Sequence, residues 1–106
     1  MLASPALQRF FDPRQLAWSA DEFDVAHDGE LLRIDRLVRL GSGAESTWWV
    51  LDYKLAAAAA DDPTLRQQLA RYRAAVQSLA DGARVRAALV TGDGLLHELD
   101  AAAPAP

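Results

Sequence analysis

Apolar and polar residues alternate most clearly in residues 31–40, and this alternation predicts a β-strand. Four of the five even positions are apolar, whereas three of the five odd positions are charged. Because side chains point alternately to the two faces of a strand, we expect the apolar even positions to share one face of a sheet. These positions are Leu32, Ile34, Val38 and Leu40.

Four other segments have the composition of strands, and glycine-containing turns separate some of them. Residues 47–55 are apolar at nearly every position, which is typical of a central strand covered on both faces. The sequences His27-Asp28-Gly29 and Gly92-Asp93-Gly94 each permit a tight reversal of the chain. The additional predicted strands are residues 16–26, 47–55, 83–91 and 95–99.

A long amphipathic helix is predicted from Asp62 to residue 80. Asp62 is a favourable N-cap, Pro63 suits the first helical position, and Asp81-Gly82 ends the pattern. Apolar residues recur at helical spacing and form one continuous stripe. They are Leu65, Leu69, Tyr72, Val76 and Leu79. A short helix is also predicted for residues 5–11, which Asp12-Pro13 ends.

The order of these elements predicts a single domain of the α/β (α+β) class. A helix that joins two strands is usually a crossover, so residues 47–55 and 83–91 should be parallel neighbours. We therefore expect a mixed central sheet of about five strands with a long crossover helix on one face. The domain should occupy residues 1–100, and residues 101–106, rich in Ala and Pro, should form a disordered tail.

Composition excludes several classes of protein. The chain has 106 residues, 51% hydrophobic and 25% charged, as expected of one globular domain. The absence of Cys excludes disulfides and thiolate metal sites. No apolar run is long enough to span a membrane and no signal peptide is evident, so we expect a cytoplasmic protein. The net charge of −4 is unlike that of a protein that binds nucleic acid through a basic surface.

Three charged residues, Asp35, Asp52 and Lys54, interrupt apolar strand sequences. Asp52 and Lys54 are two residues apart, so their side chains share one face of a strand. Asp35 comes from the preceding strand and approaches Asp52 if the two strands pair. Two converging carboxylates in a poorly solvated place repel each other, and a divalent cation such as Mg²⁺ or Mn²⁺ removes that repulsion.

Lys54 adds a group that can take part in proton transfer or stabilise developing phosphoryl charge. It is the one lysine of the chain beside ten arginines, and an arginine cannot give up its proton in a protein. A purely structural interpretation also remains open. Asp52 can form a salt bridge with Lys54, and Asp35 can pair with Arg33 or Arg36, within a small α+β interaction domain.

Three sequence segments occur together in a characteristic order. They are Gly29-Glu-Leu-Leu-Arg-Ile-Asp35-Arg-Leu, Trp49-Val-Leu-Asp52-Tyr-Lys54 and Gln68-Leu-Ala-Arg-Tyr72. In this order they resemble the RecB/AddA-type nuclease domain of the PD-(D/E)XK superfamily, over residues 14–99. The resemblance implies a restriction-endonuclease-like core. It also implies a metal-dependent DNA exonuclease that forms the C-terminal part of a UvrD/RecB-like helicase–nuclease, acting in DNA end processing and recombinational repair.

The resemblance also implies roles for individual residues. Asp35 and Asp52 would bind Mg²⁺, for which Mn²⁺ can substitute, and the carbonyl group of Tyr53 would be a further ligand. Lys54 would be the catalytic lysine. The implied partners are DNA, the helicase domains of the parent chain and a possible partner subunit, with no membrane.

Gln68 and Tyr72 would contact DNA or orient the catalytic lysine, again by resemblance. The residues alone allow a second interpretation, in which Tyr72 is a core residue of the helix stripe and Gln68 lies at its solvent edge. Both interpretations place the two side chains beside each other, because residues four apart are neighbours on a helix.

One motif of this family is missing from the sequence. In the family an upstream helix supplies a His or Glu to the metal site, whereas residues 5–11 contain neither. His27 and Glu22 are candidate substitutes, but a hairpin turn and an edge strand make surface positions more typical of both. We therefore expect a C-terminal piece of a larger protein that is a poor nuclease by itself. The alternative function is a catalytically inactive scaffold or DNA-clamp module of the same parent.

Overall fold

The computed structural model describes residues 5–41, 46–80 and 82–99. The predicted tail at residues 101–106 lies outside the described residues. No helix in the described part of the chain is long and apolar enough to cross a membrane. The elements are α1 (Pro5–Gln8), β1 (Leu16–His27), β2 (Glu30–Leu40), β3 (Thr47–Lys54), a 3₁₀ helix (Ala57–Asp61), α2 (Pro63–Leu79), β4 (Arg84–Thr91) and β5 (Leu96–Glu98).

The strands form one mixed sheet whose spatial order follows chain order, β1-β2-β3-β4-β5. β3 and β4 are parallel, and the other neighbouring strands are antiparallel. The predicted parallel pair is therefore confirmed, and α2 is the crossover that joins its two strands. The α+β class, the mixed sheet and the long crossover helix are confirmed with it.

The long helix α2 begins where the sequence predicts. The Asp62 carboxylate accepts a hydrogen bond from the backbone N–H of Thr64 at 2.9 Å, and Pro63 is the first helical residue. The predicted apolar stripe is wrong at its last position, because Leu79 is 64% exposed. α2 ends at Leu79, and the Leu79 side chain lines an open groove instead of packing in the core. The buried residues of α2 are Leu69, Tyr72, Ala75 and Val76.

Two apolar clusters lie on opposite faces of the sheet. α2 packs on the larger cluster, to which the sheet contributes Ile34, Val50 and Leu89. The other cluster contains the buried rings of Phe10 and Trp49, whose centroids are 5.0 Å apart. Neighbouring residues of β3 therefore point into different clusters, as expected of a central strand covered on both faces.

The predicted apolar face of β2 is wrong in its second half. Leu32 and Ile34 pack in the cluster beneath α2, whereas Val38 packs in the cluster on the other face. Regular pairing of β1 with β2 is interrupted at Asp35 and Glu22, and Glu22 has a φ of 51°. The left-handed residue of β1 therefore lies opposite the point where the alternation of side chains along β2 moves by one position.

Candidate active site

The ladder between β2 and β3 ends one position before Asp35 and Asp52. Its last pair is Arg36 with Leu51. Beyond that pair, the Asp35 Oδ2 atom accepts a hydrogen bond from the backbone N–H of Tyr53 at 2.8 Å. A side-chain carboxylate thus bonds the β3 backbone where the ladder stops. The approach of Asp35 to Asp52, expected from the pairing of their strands, is present.

Asp52 is a buried carboxyl group, 3% exposed. Burial raises the pKa of Asp52 to about 6, and the neighbouring acid Asp35 adds to the rise. Lys54 opposes the shift, because its Nζ atom lies 3.4 Å from Asp52 Oδ2 and 3.5 Å from Oδ1. Oδ2 is nevertheless buried without a hydrogen bond from any described residue. The lysine therefore compensates the buried charge only in part.

These observations fit a divalent cation. The half-buried Asp35 lies beside the buried Asp52, and one carboxylate oxygen of Asp52 has no hydrogen-bond donor among the described residues, which is a costly arrangement. Carboxylate oxygens are the ligands that Mg²⁺ and Mn²⁺ prefer. Within residues 5–41, 46–80 and 82–99, no three His, Asp or Glu side chains gather as a metal-binding group. The side chains present for such a cation are therefore those of Asp35 and Asp52, with the Tyr53 carbonyl next along β3.

The two arginines considered as partners of Asp35 pair with other residues. Arg33 forms an ion pair with Asp24 at 3.0 Å. Arg36 forms one with Asp21 at 2.7 Å, and its Nε and Nη2 atoms donate to the carbonyl oxygen of Phe10. The interpretation of the three charged residues as a structural salt-bridge network therefore retains one ion pair among the described residues, that between Lys54 and Asp52.

Lys54 lies at the carboxyl end of β3, partly exposed, on an open pocket of about 170 Å³. Gly92 closes one side of this pocket. A Cβ atom at Gly92 would lie 2.6 Å from the carbonyl oxygen of Leu55, which already accepts the Gly92 N–H at 3.2 Å. Glycine is therefore required for this close approach of the β4–β5 turn to the end of β3.

A polar network beside Lys54 was missed by the sequence argument. Thr91 is the ladder partner of Lys54 across β3 and β4, so the two side chains share one face. The Thr91 Oγ1 atom is 2.5 Å from Asp93 Oδ1 and 3.0 Å from His97 Nε2. Asp93 bonds the hydroxyl group and not the imidazole, so the trio lacks the connectivity of a nucleophilic triad. The parallel pairing was predictable, but the register that makes Thr91 the partner of Lys54 was not.

A larger cavity of about 560 Å³ opens on the Asp35 side of the site. Its lining includes Glu22, Asp35 and Tyr53. Glu22 is exposed, and its carboxylate pairs with Arg33 at 3.7 Å. His27 ends β1 and contacts Asp28 at 3.5 Å. Neither proposed substitute for the missing motif forms a described contact with Asp35 or Asp52.

Gln68 and Tyr72 contact each other on α2. The Gln68 Nε2 atom donates to the Tyr72 hydroxyl oxygen at 2.6 Å. Tyr72 is buried in the cluster beneath α2, as the core interpretation of the sequence has it. No hydrogen bond within the described part of the chain joins either residue to Asp52 or Lys54.

Comparison with known proteins does not identify the chain. No protein-family model matches it, and no curated protein matches its sequence. Function therefore rests on the chemistry of the site. That site combines two converging carboxylates, a lysine beside them and open access from solvent.

Proposed function

We propose that this domain is the core of a metal-dependent deoxyribonuclease that hydrolyses phosphodiester bonds. The observation that carries the proposal is the buried Asp52 Oδ2, which accepts no hydrogen bond from the described residues although Asp35 and Lys54 lie beside it. Folding by itself does not favour a buried carboxylate oxygen without a donor next to a second acid. A cation bound between Asp35 and Asp52 would compensate their negative charge.

Asp35, Asp52 and the carbonyl group of Tyr53 would hold the cation, Mg²⁺ or Mn²⁺. When bound, such an ion lowers the pKa of a coordinated water and stabilises charge on a phosphoryl group. The Asp35 carboxylate is already held by the Tyr53 N–H, which fixes its orientation. Asp52 is held by burial, so both ligands have little freedom to lose on binding.

Lys54 would act on the substrate side of the site. Its side chain is 33% exposed, and its ammonium group is close to Asp52 while the pocket keeps it open to solvent. A lysine in this position can orient the attacking water or stabilise charge on the phosphate. Gln68 would contact DNA or orient the site, and the hydrogen bond to Tyr72 supports a fixed amide orientation.

The parent protein would supply what this domain lacks. The net charge of −4 is unsuited to holding DNA by a basic surface, so helicase domains or a partner subunit would present the DNA. The reaction would then be exonucleolytic, in DNA end processing and recombinational repair in the cytoplasm. Because the domain offers two acidic side chains to the cation, we expect it to cleave DNA weakly by itself.

The same limited ligand set favours a second candidate function. No three acidic or histidine side chains gather among the described residues, and Lys54 already contacts Asp52. A nuclease-like module that has lost catalysis, and serves its parent as a scaffold or DNA clamp, would have these properties. The two functions differ in whether Asp35 and Asp52 bind a cation.

Titration of the full chain with Mn²⁺, followed by amide NMR, tests the proposal. We expect paramagnetic broadening centred on residues 35 and 52–54, and its loss in Asp52→Asn. Asp24→Asn is the matched control, because Asp24 is an exposed strand aspartate that pairs with Arg33. Lys54→Gln should keep the broadening and lose metal-dependent cleavage of end-labelled DNA. A dispersed spectrum without localised broadening would favour the scaffold function.

A further inference from the structure

An apolar groove lies on the α2 face of the sheet, at the opposite end of β3 from Lys54. Its volume is about 170 Å³, and the residues that line it are apolar. Trp48, near the start of β3, and Leu79, at the end of α2, form parts of two sides. Leu79 is 64% exposed and Trp18 is 39% exposed. Single exposed apolar residues are ordinary, but several that line one groove mark an interaction site.

The aromatic side of this groove, formed by Trp18, Phe23 and Trp48, is preformed. The Trp18 ring lies edge-on to the Trp48 ring, with centroids 5.5 Å apart, and to the Phe23 ring, with centroids 5.6 Å apart. Arg39 of β2 is the ladder partner of both tryptophans. Because the rings hold one another in place, a ligand gains contact with them without the cost of ordering them.

Arg39 places a cation beside the groove, next to Trp48, although it is not one of the residues that line the groove. Its guanidinium carbon is 5.8 Å from the centroid of the Trp48 ring. Its Nε atom is buried and has no hydrogen-bond partner among the described residues. No carboxylate of those residues forms an ion pair with Arg39, whereas five other arginines have one. They are Arg14, Arg33, Arg36, Arg71 and Arg86.

We propose that the groove binds a polypeptide segment of a partner in which a large apolar side chain stands next to a carboxylate. The apolar lining selects the side chain, which would fill the space between Trp18, Trp48 and Leu79. The Arg39 guanidinium selects the carboxylate, because its planar fork matches that group. A nucleic-acid backbone would meet an apolar lining and a single cation, so a protein segment fits the charge and the shape better.

The indole N–H signals of the chain's three tryptophans test this in ¹H–¹⁵N spectra of the full chain. The probe is the blocked peptide acetyl-Glu-Leu-Phe-Glu-amide, compared with acetyl-Lys-Leu-Phe-Lys-amide. We expect the Trp18 and Trp48 signals to shift with the acidic peptide. The Trp49 signal is the internal control, because that ring is buried on the other face. The basic peptide should bind roughly tenfold more weakly.

Variants separate the two parts of the recognition. Arg39→Gln should abolish the preference for the acidic peptide, and Leu79→Ser should weaken both peptides. Leu31→Ser is the matched control, because Leu31 is 72% exposed and does not line the groove. If Arg39→Gln does not fold, the comparison of the two peptides on the unmodified chain decides the charge argument.

Three results would overturn the proposal. The first is no shift of Trp18 and Trp48, or an equal shift of Trp49. The second is equal binding of the two peptides, which would remove the role of Arg39. The third is a shift of the Trp18 and Trp48 signals with protein concentration alone, which would make a second copy of the chain the occupant.

Discussion

The sheet face beneath α2 has a polar end and an apolar end. The polar end buries a charged group, and the apolar end exposes large hydrophobic side chains. At the polar end, Asp52 is buried with an oxygen atom that no described residue bonds. At the apolar end, Trp18 and Leu79 line an open groove. Buried charge and exposed apolar surface both oppose stability. This difference is the basis of the two proposals, a cation at the polar end and an apolar partner segment at the apolar end.

The largest effect is expected from Gly92→Ala, which breaks the close packing of the polar end. The added Cβ atom would lie 2.6 Å from the Leu55 carbonyl oxygen, so the β4–β5 turn must move. We expect the free energy of unfolding to fall by about 2–3 kcal/mol, as for other overpacked sites. Urea denaturation followed by tryptophan fluorescence measures the change.

Gly29→Ala is the control for this prediction. Gly29 has a φ of 79° but open space around its Cβ position, so only the backbone conformation opposes the substitution. A loss of about 1 kcal/mol is expected there. Equal losses at the two glycines would show that the polar end is not closed by the Gly92 contact.

The next largest effect concerns the buried charge of Asp52. Its pKa rises from 3.8 in the unfolded chain to about 6 in the fold, so the folded state binds a proton that the unfolded state has lost between these values. This carboxyl group therefore costs stability progressively as the pH rises through that window. In metal-free buffer, Asp52→Asn should match the unmodified chain at pH 4 and exceed it by about 2 kcal/mol at pH 7.

Urea denaturation at a series of pH values measures this difference, with Asp24→Asn as the control that should show no such gain. Asp24 pairs with Arg33 on the exposed edge strand β1. A loss of stability in Asp52→Asn at pH 7 would mean that the contact with Lys54 outweighs the burial of the acid. The polar end would then be a structural ion pair.

Thr91→Val should have a smaller effect on the same end of the sheet. The substitution keeps the shape but removes the hydroxyl group that bonds Asp93 and His97. We expect the free energy of unfolding to fall by about 1–2 kcal/mol, since two polar groups lose a partner. Thr64→Val, at an exposed position on α2, should change it little. Equal effects would leave the network without a stabilising role.

Leu79→Ser should have the smallest effect on stability, below about 0.5 kcal/mol, because the side chain is already exposed. Val76→Ser, one helical turn earlier, removes a buried side chain and should cost about 2 kcal/mol or more. Thermal unfolding of both variants makes the comparison. A large loss from Leu79→Ser would show that the groove belongs to the core.

Much of the architecture was predictable because local chemistry and the global fold agree. The Asp62-Pro63 start of α2, and the crossover that makes β3 and β4 parallel, follow from residue types and chain order. The convergence of Asp35 and Asp52 also follows, because consecutive strands pair and both acids interrupt apolar sequences. The proposed roles of these two acids stay predictions.

The remainder depends on geometry that residue types do not encode. The alternation of β2 moves by one position opposite the left-handed Glu22 of β1, and glutamate gives no indication of such a conformation. Leu79 is exposed because it lines an open groove instead of packing against the sheet, and residue types do not show where that groove begins. The partnership of Thr91 with Lys54 depends on the register of a parallel ladder, which a one-residue slip would change.

The strand order also has a consequence for how the chain folds. β1, β2 and β3 pair as a meander of consecutive strands, so their pairing closes only short loops. The parallel pair β3–β4 closes a longer loop that includes all of α2, and non-local pairings form more slowly. We therefore expect the meander to form first and α2 with β4 to dock afterwards. Asp35 and Asp52 then meet early, while Thr91 reaches Lys54 only in the final docking step.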